Sequence, residues 1–489
     1  MKNKRVIPYT AGIIGALLLL FIGWEYNIPA IAWVSYPLLV YSFRSFKKWY
    51  LTLPLVVLMA VVRFVSIYGG WDMELWLTII FSVLVLAPLL AGLYLDRAFV
   101  GHLSPILASL VFPCTYIVFD YLLTFMNLGM TFSLVYSQAT FLEFIQVVSV
   151  FGSWFAGFVT AWFAPVAVLL VQNTGKLKTI RRPLIVYFTI LSVILLFGCF
   201  RLALARPHSE TVRIASVTEE HRQDYWTITD RNTPRGDSPS IKPEMKAIED
   251  KLFKQSQKAV DYGAEIIFWS EGDSPMYEDD YDAFIKRASD FARENRVWFV
   301  PACVMLRYDR NKNDNLAIIF EPEGKMEYRY EKTISWYPTD SDGKLPVIQT
   351  PYGKLSAAIC FDMDYPRLIS QASDADIMLV PGYDTKKISD FHTRVSFLRG
   401  IENGFSVVRQ ANESASISAD YLGNTLTYQN YFYTPDRIMI SDVPVRGVWT
   451  LYGFTGEIFL WIDFAGFALI VIISLRKMLL IKRTLLMLH

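Results

Sequence analysis

Cysteine and histidine are scarce in this chain, four and five among 489 residues. No cysteine stands in a C-x-x-C pair or beside a histidine-rich stretch, so the ligand spacing of a zinc site is missing and no metal is expected. Cys114 and Cys199 lie in apolar runs, Cys303 and Cys360 in the polar part of the chain. A Cys303 to Cys360 disulfide is open to an exported domain, but a domain of this size does not need one bridge for its stability. Excess charge is lacking too. With 47 Lys and Arg against 46 Asp and Glu, the formal net charge is +1, so nothing in the overall balance attracts nucleic acid or another polyanion. The small residues of a signal-peptide cleavage site are also absent. Trp24 and Glu25 follow the first apolar run, which is therefore expected to be retained as a helix.

Apolar residues are abundant: 53% of the chain is hydrophobic and 15% aromatic, with a mean hydropathy of +0.30. That is too apolar for an ordinary soluble enzyme and too charged for a bare bundle of spans, so the excess must be local. Seven apolar runs, near 8–24, 28–43, 50–68, 76–95, 104–125, 154–172 and 183–203, precede a polar region, and an eighth follows near 454–475. Each approaches the length that crosses a hydrocarbon core of about 30 Å at about 1.5 Å per residue. The expectation is a membrane domain of seven spans over 1–203, a water-soluble domain over 204–453, and a last span with a basic tail over 454–489.

Lysine and arginine in the short loops set the orientation, because cytoplasmic loops carry the excess. Lys2, Lys4 and Arg5, then Arg44, Lys47 and Lys48, then Lys176, Lys178, Arg181 and Arg182, and finally Arg476, Lys477, Lys482 and Arg483 all fall on one side. The opposite loops are poor in positive charge; the stretch 126–153 has Glu143 as its only charge. Both termini are thus expected in the cytoplasm, with 204–453 on the outer face of the membrane. Inside the spans, Arg63 and Asp120 lie at similar depth and are expected to pair across helices, with a lipid-headgroup contact as the alternative.

The polar region alternates β-rich and helical patterns, which argues for an α/β domain. Strands are expected over 212–217, 265–269, 297–304, 316–320, 354–360, 376–381 and 405–409. Helices are expected over 241–262, 281–295 and 389–403, where apolar residues recur at helical spacing. Three strand ends carry candidate chemistry, at the place where open α/β sheets put their sites. Ala357-Ala358-Ile359-Cys360-Phe361-Asp362 ends an apolar run in a thiol, a setting for an exposed nucleophile, although a buried structural cysteine fits as well. Ile266-Ile267-Phe268-Trp269-Ser270-Glu271 ends in a carboxylate. A thiol of ordinary pKa is mostly protonated at neutral pH, so a neighbouring base would be useful; the alternative is a loop glutamate in water. Tyr330-Glu331-Lys332-Thr333 offers a cation to an oxyanion, or one more solvated lysine.

Taken in order, W-S-E, E-K-T and I-C-F-D followed by Tyr365-Pro366-Arg367 resemble the carbon–nitrogen hydrolase (nitrilase) superfamily, whose catalytic trio is Glu, Lys and Cys in that sequence. With seven spans before and one after, the chain resembles the apolipoprotein N-acyltransferase family within it. Ile28 to Leu39 resembles that family's second span. Val135-Tyr136-Ser137-Gln138, Phe144-Ile145-Gln146 and Phe151-Gly152 resemble its exterior loop. Arg399, Glu402-Asn403-Gly404, Arg409-Gln410-Ala411-Asn412, Asp420 and Gly423 resemble its late segment, and Thr450-Leu451-Tyr452 the lead into its last span. The likeness is nearly full length but divergent. Asp340 and Asp362 stand where the family usually has glutamate, Phe361 where it commonly has tyrosine, and Thr131-Phe132-Ser133 where it has a Pro-Trp pair. Arg213 to Thr218 also lacks its Gln-x-Asn pattern.

The resemblance implies a multi-pass helical bundle of eight spans plus a nitrilase-like α-β-β-α sandwich. It makes Glu271 the general base, Lys332 the oxyanion-stabilising cation and Cys360 the nucleophile, supported by Asp340, Phe361 and Asp362. Trp226 matches the family's lid tryptophan, and Gln138 its entry loop. The implied reaction moves a fatty acyl chain from a phospholipid, through a Cys360 thioester, to the α-amine of the S-diacylglyceryl cysteine of a lipoprotein in the bacterial cytoplasmic membrane. A thiol attacking an ester needs no metal or organic cofactor. Two alternatives remain: a membrane-anchored amidase or nitrilase-like hydrolase using the same trio with water as acceptor, and a non-catalytic scaffold.

Overall fold

The computed structural model describes residues 3–70, 74–175, 177–219, 238–308, 313–335 and 338–487. Two compact units divide the chain, Met1–Leu204 with Thr455–His489, and Ala205–Phe454.

The first unit is helical. Among the described residues six helices are long and apolar enough to cross a membrane: Trp49–Ile67, Leu75–His102, Pro105–Leu128, Val148–Gln172, Leu177–Leu204 and Ile458–Thr484. The first two of the eight expected spans are shorter helices, Asn3–Leu18 and Pro29–Ser45, of 16 and 17 residues. At about 1.5 Å per residue neither covers a core of about 30 Å by itself. Between them the chain turns at Gly23, whose φ is +82°, and the Gly23 N–H donates to Asn27 Oδ1 at 2.7 Å. The long helices expose apolar ridges at helical spacing, Val57, Val61 and Val65 on one, Val193, Leu196 and Phe200 on another. Contiguous apolar surface of this kind is stable against lipid and costly in water.

The intramembrane polar groups pair differently from expectation. Arg63 Nη1 donates to the Ile22 carbonyl at 2.9 Å, and Asp120 Oδ2 accepts from Ser133 Oγ at 2.6 Å. Each finds its partner on the nearest break in a helix rather than on the other. The buried ion pair lies elsewhere: Arg44 grips Asp96 with two hydrogen bonds of 2.6 and 2.7 Å, the fork geometry in which such a pair offsets its desolvation.

The second unit holds fourteen strands among its described residues. They are β1 (Thr211–Val217), β2 (Ile266–Trp269), β3 (Ser274–Tyr277), β4 (Trp298–Val300), β5 (Ala302–Leu306), β6 (Asn313–Phe320) and β7 (Met326–Glu331). These are followed by β8 (Ile348–Thr350), β9 (Gly353–Ala357), β10 (Ile377–Tyr383), β11 (Ser406–Asn412), β12 (Ala415–Ala419), β13 (Thr425–Asn430) and β14 (Ile438–Pro444). One sheet has the order β14-β1-β2-β4-β6-β5-β3 with β7 on β6; the other runs β13-β12-β11-β10-β9-β8. Side chains alternate across a strand, and β1 and β2 use this to serve two cores. Val212, Ile214, Ile266 and Phe268 meet Ala357, Ile359, Leu379 and Val407 between the sheets. Ala215, Val217, Ile267 and Trp269 face the other way, toward residues of the helices Ser238–Asp261 and Tyr281–Asn295. Trp269 is fully buried, and truncating such a side chain to alanine costs about 3–5 kcal/mol.

The expected strand over 297–304 is two strands, because Pro301 has no N–H to give a ladder. The helix Tyr281–Asn295 stops where Arg296 turns left-handed and returns its N–H to Ala292. The helix Ser389–Asn403 packs on β11 and β12 and ends at Gly404, φ +88°, where a Cβ would lie 1.8 Å from the Val448 carbonyl oxygen. Only glycine fits there. Two sheets between helical layers form the arrangement expected of the domain.

Candidate active site

Glu271 follows β2 through Ser270. It is buried, and its Oε1 accepts from Lys332 Nζ at 2.6 Å and from Asn315 Nδ2 at 2.7 Å. Asn315 comes from β6 and Lys332 stands one residue past β7, its own backbone N–H fixed on the Asn315 carbonyl at 2.9 Å. The two strands that carry the ion pair are thus tied at the residue that bridges it. Burial works against the Lys332 charge, but Glu271, with Cys360 and Asp362 behind it, overrides burial and holds the ammonium well above its ordinary pKa.

Cys360 begins a short turn, Cys360–Asp364, just beyond β9, with φ +49°. A side chain in the left-handed region costs about 1–3 kcal/mol and tends to persist where function requires it. Three ties hold the turn. Asp362 Oδ2 accepts from the Ile359 N–H at 3.0 Å and the Tyr330 hydroxyl at 2.7 Å, while its Oδ1 accepts from the Ile334 N–H at 2.8 Å. Arg399 Nε donates to the Met363 carbonyl at 3.0 Å. The Cys360 thiol donates to the Tyr383 carbonyl at 3.3 Å. Burial first, and then the Glu271 charge, push this thiol up to about 12, against the pull of Lys332 and Arg409. Burial likewise carries Asp362 up to about 6, opposed by Lys332 and by the three donors just named.

A second cluster closes the other flank of Cys360. Arg409, on β11, is fully buried; its Nη2 donates to Asp384 Oδ2 at 2.8 Å and lies 3.8 Å from Cys360 Sγ. Asp384 Oδ1 meets His392 Nδ1 at 2.6 Å, and His392 Nε2 meets Asp364 Oδ2 at 2.7 Å. Cys360, Asp384 and His392 bring donor atoms of metal-ligand type within 4.8 Å of one another. Their lone pairs are committed to a cationic guanidinium and to each other, so the chemistry of the set is that of an ion network. Beneath it Gly382 on β10 accepts the Glu271 N–H at 3.3 Å, and a Cβ at that position would stand 2.9 Å from the Arg409 guanidinium.

Of the residues singled out from sequence, Glu271, Lys332, Cys360 and Asp362 come together, and Phe361 stands beside them in the turn. Asp340 is exposed, and its backbone N–H donates to Glu331 Oε1 at 2.9 Å. Gln138 is buried in the helical unit, its amide accepting from Trp33 Nε1 at 2.9 Å and donating to the Pro29 carbonyl at 3.0 Å. Trp226 lies outside the described residues. All four cysteines are free, Cys303 and Cys360 included. Sequence reasoning missed Asn315, Asp364, Asp384 and His392. Their signal was faint: a lone amide in an apolar strand, and acids just past Cys360 and the end of β10.

Residues 239–434 match the carbon–nitrogen hydrolase family. Along 98% of both chains the protein is 22% identical to an apolipoprotein N-acyltransferase of Geobacter metallireducens. It is 27% identical to a deaminated glutathione amidase of Dictyostelium discoideum over 28% of this chain and 55% of that one, so it spans about half the length of that relative. Among solved structures, an amidase from Nesterenkonia sp. is similar at 16% identity with a TM-score of 0.38, covering 49% of this chain and 92% of the amidase. The chain carries a carbon–nitrogen hydrolase domain and several helices of membrane-spanning length and hydropathy.

Proposed function

We propose that this protein is an N-acyltransferase that moves a fatty acyl chain from a phospholipid to the α-amine of a diacylglyceryl-modified lipoprotein. The observation that carries the reading is the 2.6 Å contact between Lys332 and Glu271 within charge range of a buried, left-handed Cys360, in a chain similar from end to end to an apolipoprotein N-acyltransferase. In this reading 1–203 and 454–489 anchor the protein in the cytoplasmic membrane of a bacterium. The loop lysines and arginines support cytoplasmic termini and an outward-facing 204–453.

With its pKa near 12, only about one thiol in 10⁵ is ionised at pH 7. The proton therefore passes to Glu271 as Cys360 attacks the ester carbonyl, rather than beforehand. Protonation of Glu271 cancels the charge that had occupied Lys332. The ammonium is then released to the tetrahedral oxyanion, with the Phe361 N–H as a second donor. One such donor is worth about 10²–10³ in rate. Collapse breaks the ester C–O bond as Glu271 returns its proton to the departing oxygen, leaving an acyl-thioester, a lysophospholipid and the Glu271 carboxylate. The lipoprotein amine attacks the thioester, Glu271 handles the proton, and the amide leaves with Cys360 restored. Anchoring both acylated substrates and the domain in one bilayer raises their effective concentration.

Intact-mass analysis of protein purified from membranes tests the reading. An acyl-sized, hydroxylamine-labile adduct on Cys360 that disappears in C360A and on adding a diacylglyceryl peptide supports it; no adduct with any phospholipid overturns it. The second reading, a membrane-anchored hydrolase, is favoured by the amidase relative. It predicts an adduct that water clears as fast as the peptide does.

A further inference from the structure

We infer that Arg409 is a second catalytic cation, the group that carries the Cys360 sulfur's negative charge, and that Asp384 and His392 hold it in place. The inference rests on Cys360 being the nucleophile.

The argument begins with a division of labour. Lys332 is bound to Glu271 in the resting site, and it becomes available to the reacting carbonyl only when Glu271 has accepted the thiol proton. The sulfur needs its own partner at that moment, and again in the second half-reaction when it departs from the thioester as a thiolate. Arg409 Nη2 is the cation that lies against it, at 3.8 Å. A guanidinium keeps its proton throughout, so it stabilises the anion without competing with Glu271 for the proton.

Two features separate Arg409 from a merely structural arginine. Its Nε and Nη1 are buried with no hydrogen-bond partner among the described residues, whereas a structural arginine spends its donors on carboxylates and carbonyls. Its counterion is shared. Asp384 gives Oδ2 to Arg409 and Oδ1 to His392, so among the described residues the one carboxylate paired with Arg409 is divided between two cations. His392 is an imidazolium, because both ring nitrogens face carboxylates, Asp384 and Asp364; with no free lone pair it cannot serve as base to Cys360. Asp364 and Asp384 thus balance His392 and Arg409. The charged groups around the thiol are Glu271 and Lys332 on one flank, Arg409, Asp384 and His392 on the other, and Asp362 and Asp364 in its own turn. The field of Arg409 on the sulfur accordingly lowers the thiol pKa that burial raises.

Site-resolved alkylation by iodoacetamide at pH 8, on full-length protein in detergent, reads thiolate availability with no acyl substrate present. A one-unit rise in pKa removes about 90% of the thiolate, of which the greater nucleophilicity of a more basic sulfur restores part, leaving roughly a threefold loss in rate. R409Q should slow Cys360 alkylation about threefold or more, and R409K should restore most of it. R409Q that melts like wild type and alkylates at the wild-type rate overturns the inference. If R409Q does not fold, H392Q carries the test: losing the imidazolium leaves the cluster net negative, so alkylation should slow about twofold, and an equal or faster rate overturns the inference. Because the assay uses no lipid, a Cys360 that never acquires an acyl group while R409Q still slows alkylation defeats the proposed function alone. A wild-type rate in R409Q beside normal acyl adducts defeats this inference alone.

Discussion

Tyr330 donates its hydroxyl to Asp362 across 2.7 Å and so fastens the end of β7, which precedes Lys332, to the turn that presents Cys360. Both groups are buried. Y330F leaves Asp362 with two backbone donors and removes the cross-tie. A lost bond to a charged group costs about 1.5–3 kcal/mol. The melting temperature should fall by several degrees, and the acyl adduct on Cys360 should form more slowly, measured by differential scanning and intact mass.

Lys332 and Glu271 should behave as a unit. Removing one member of a buried pair leaves an uncompensated charge and costs about 3–5 kcal/mol. K332M and E271Q are each expected to destabilise strongly and to cut adduct formation at least about 10²-fold. The double variant should regain part of the stability and none of the activity. Additive losses of stability in denaturant titrations would show that the two charges do not support each other.

His392 makes stability depend on pH. Burial alone would lower its pKa, but Asp384 and then Asp364 override burial and carry it from 6.5 up to about 9. A base raised by folding gives stability that is complete below about pH 6.5 and is lost as the pH climbs through about 9. The difference corresponds to about 3 kcal/mol. Melting curves in detergent should therefore fall by several degrees between pH 6.5 and 9 in the wild type and lie flatter in H392Q. Parallel slopes would contradict this.

The two aspartates that stand where glutamates were expected should separate. Asp362 is buried and holds three donors, whereas Asp340 is exposed. In D362N an amide N–H₂ must face at least one backbone or hydroxyl donor, so the turn loosens and adduct formation should drop about tenfold or more. D340N should change it less than about threefold. Equal effects in kinetic assays would place Asp340 in the reaction.

Much of the domain was legible because its inner strands read as continuous apolar runs bounded by polar turns. The helices Tyr281–Asn295 and Ser389–Asn403 begin and end where apolar periodicity starts and stops. The strands that escaped notice lie mostly on the sheet margins. β3, β8 and β13 are edge strands, and β7 and β13 carry exposed polar residues whose alternation is too short to register. Glu271 and Cys360 stood out because each follows an apolar run, and Lys332 because Glu331-Lys332-Thr333 falls between them in the order of the resembling family. Asp384, His392 and Asp364 did not, and Arg409 was marked only as part of a resembling segment with no role attached, since β11, the end of β10, a helix and a turn contribute one residue each. Only the fold brings them within reach, and single acids or a lone histidine carry no local pattern. Six of the eight expected spans coincide with helices long and apolar enough to cross a membrane, but the Arg63 and Asp120 partners were not readable, because helical breaks at Ile22 and Ser133 offered nearer ones.

Gly382 touches both flanks of the thiol with nothing but backbone: its carbonyl receives the amide of the base, and its bare α-carbon lets the guanidinium lie flat. The two walls therefore share one hinge post of zero width. Anyone enlarging this cleft for a bulkier acyl group can trim side chains around the rim, but a single methyl at that post would press on the arginine.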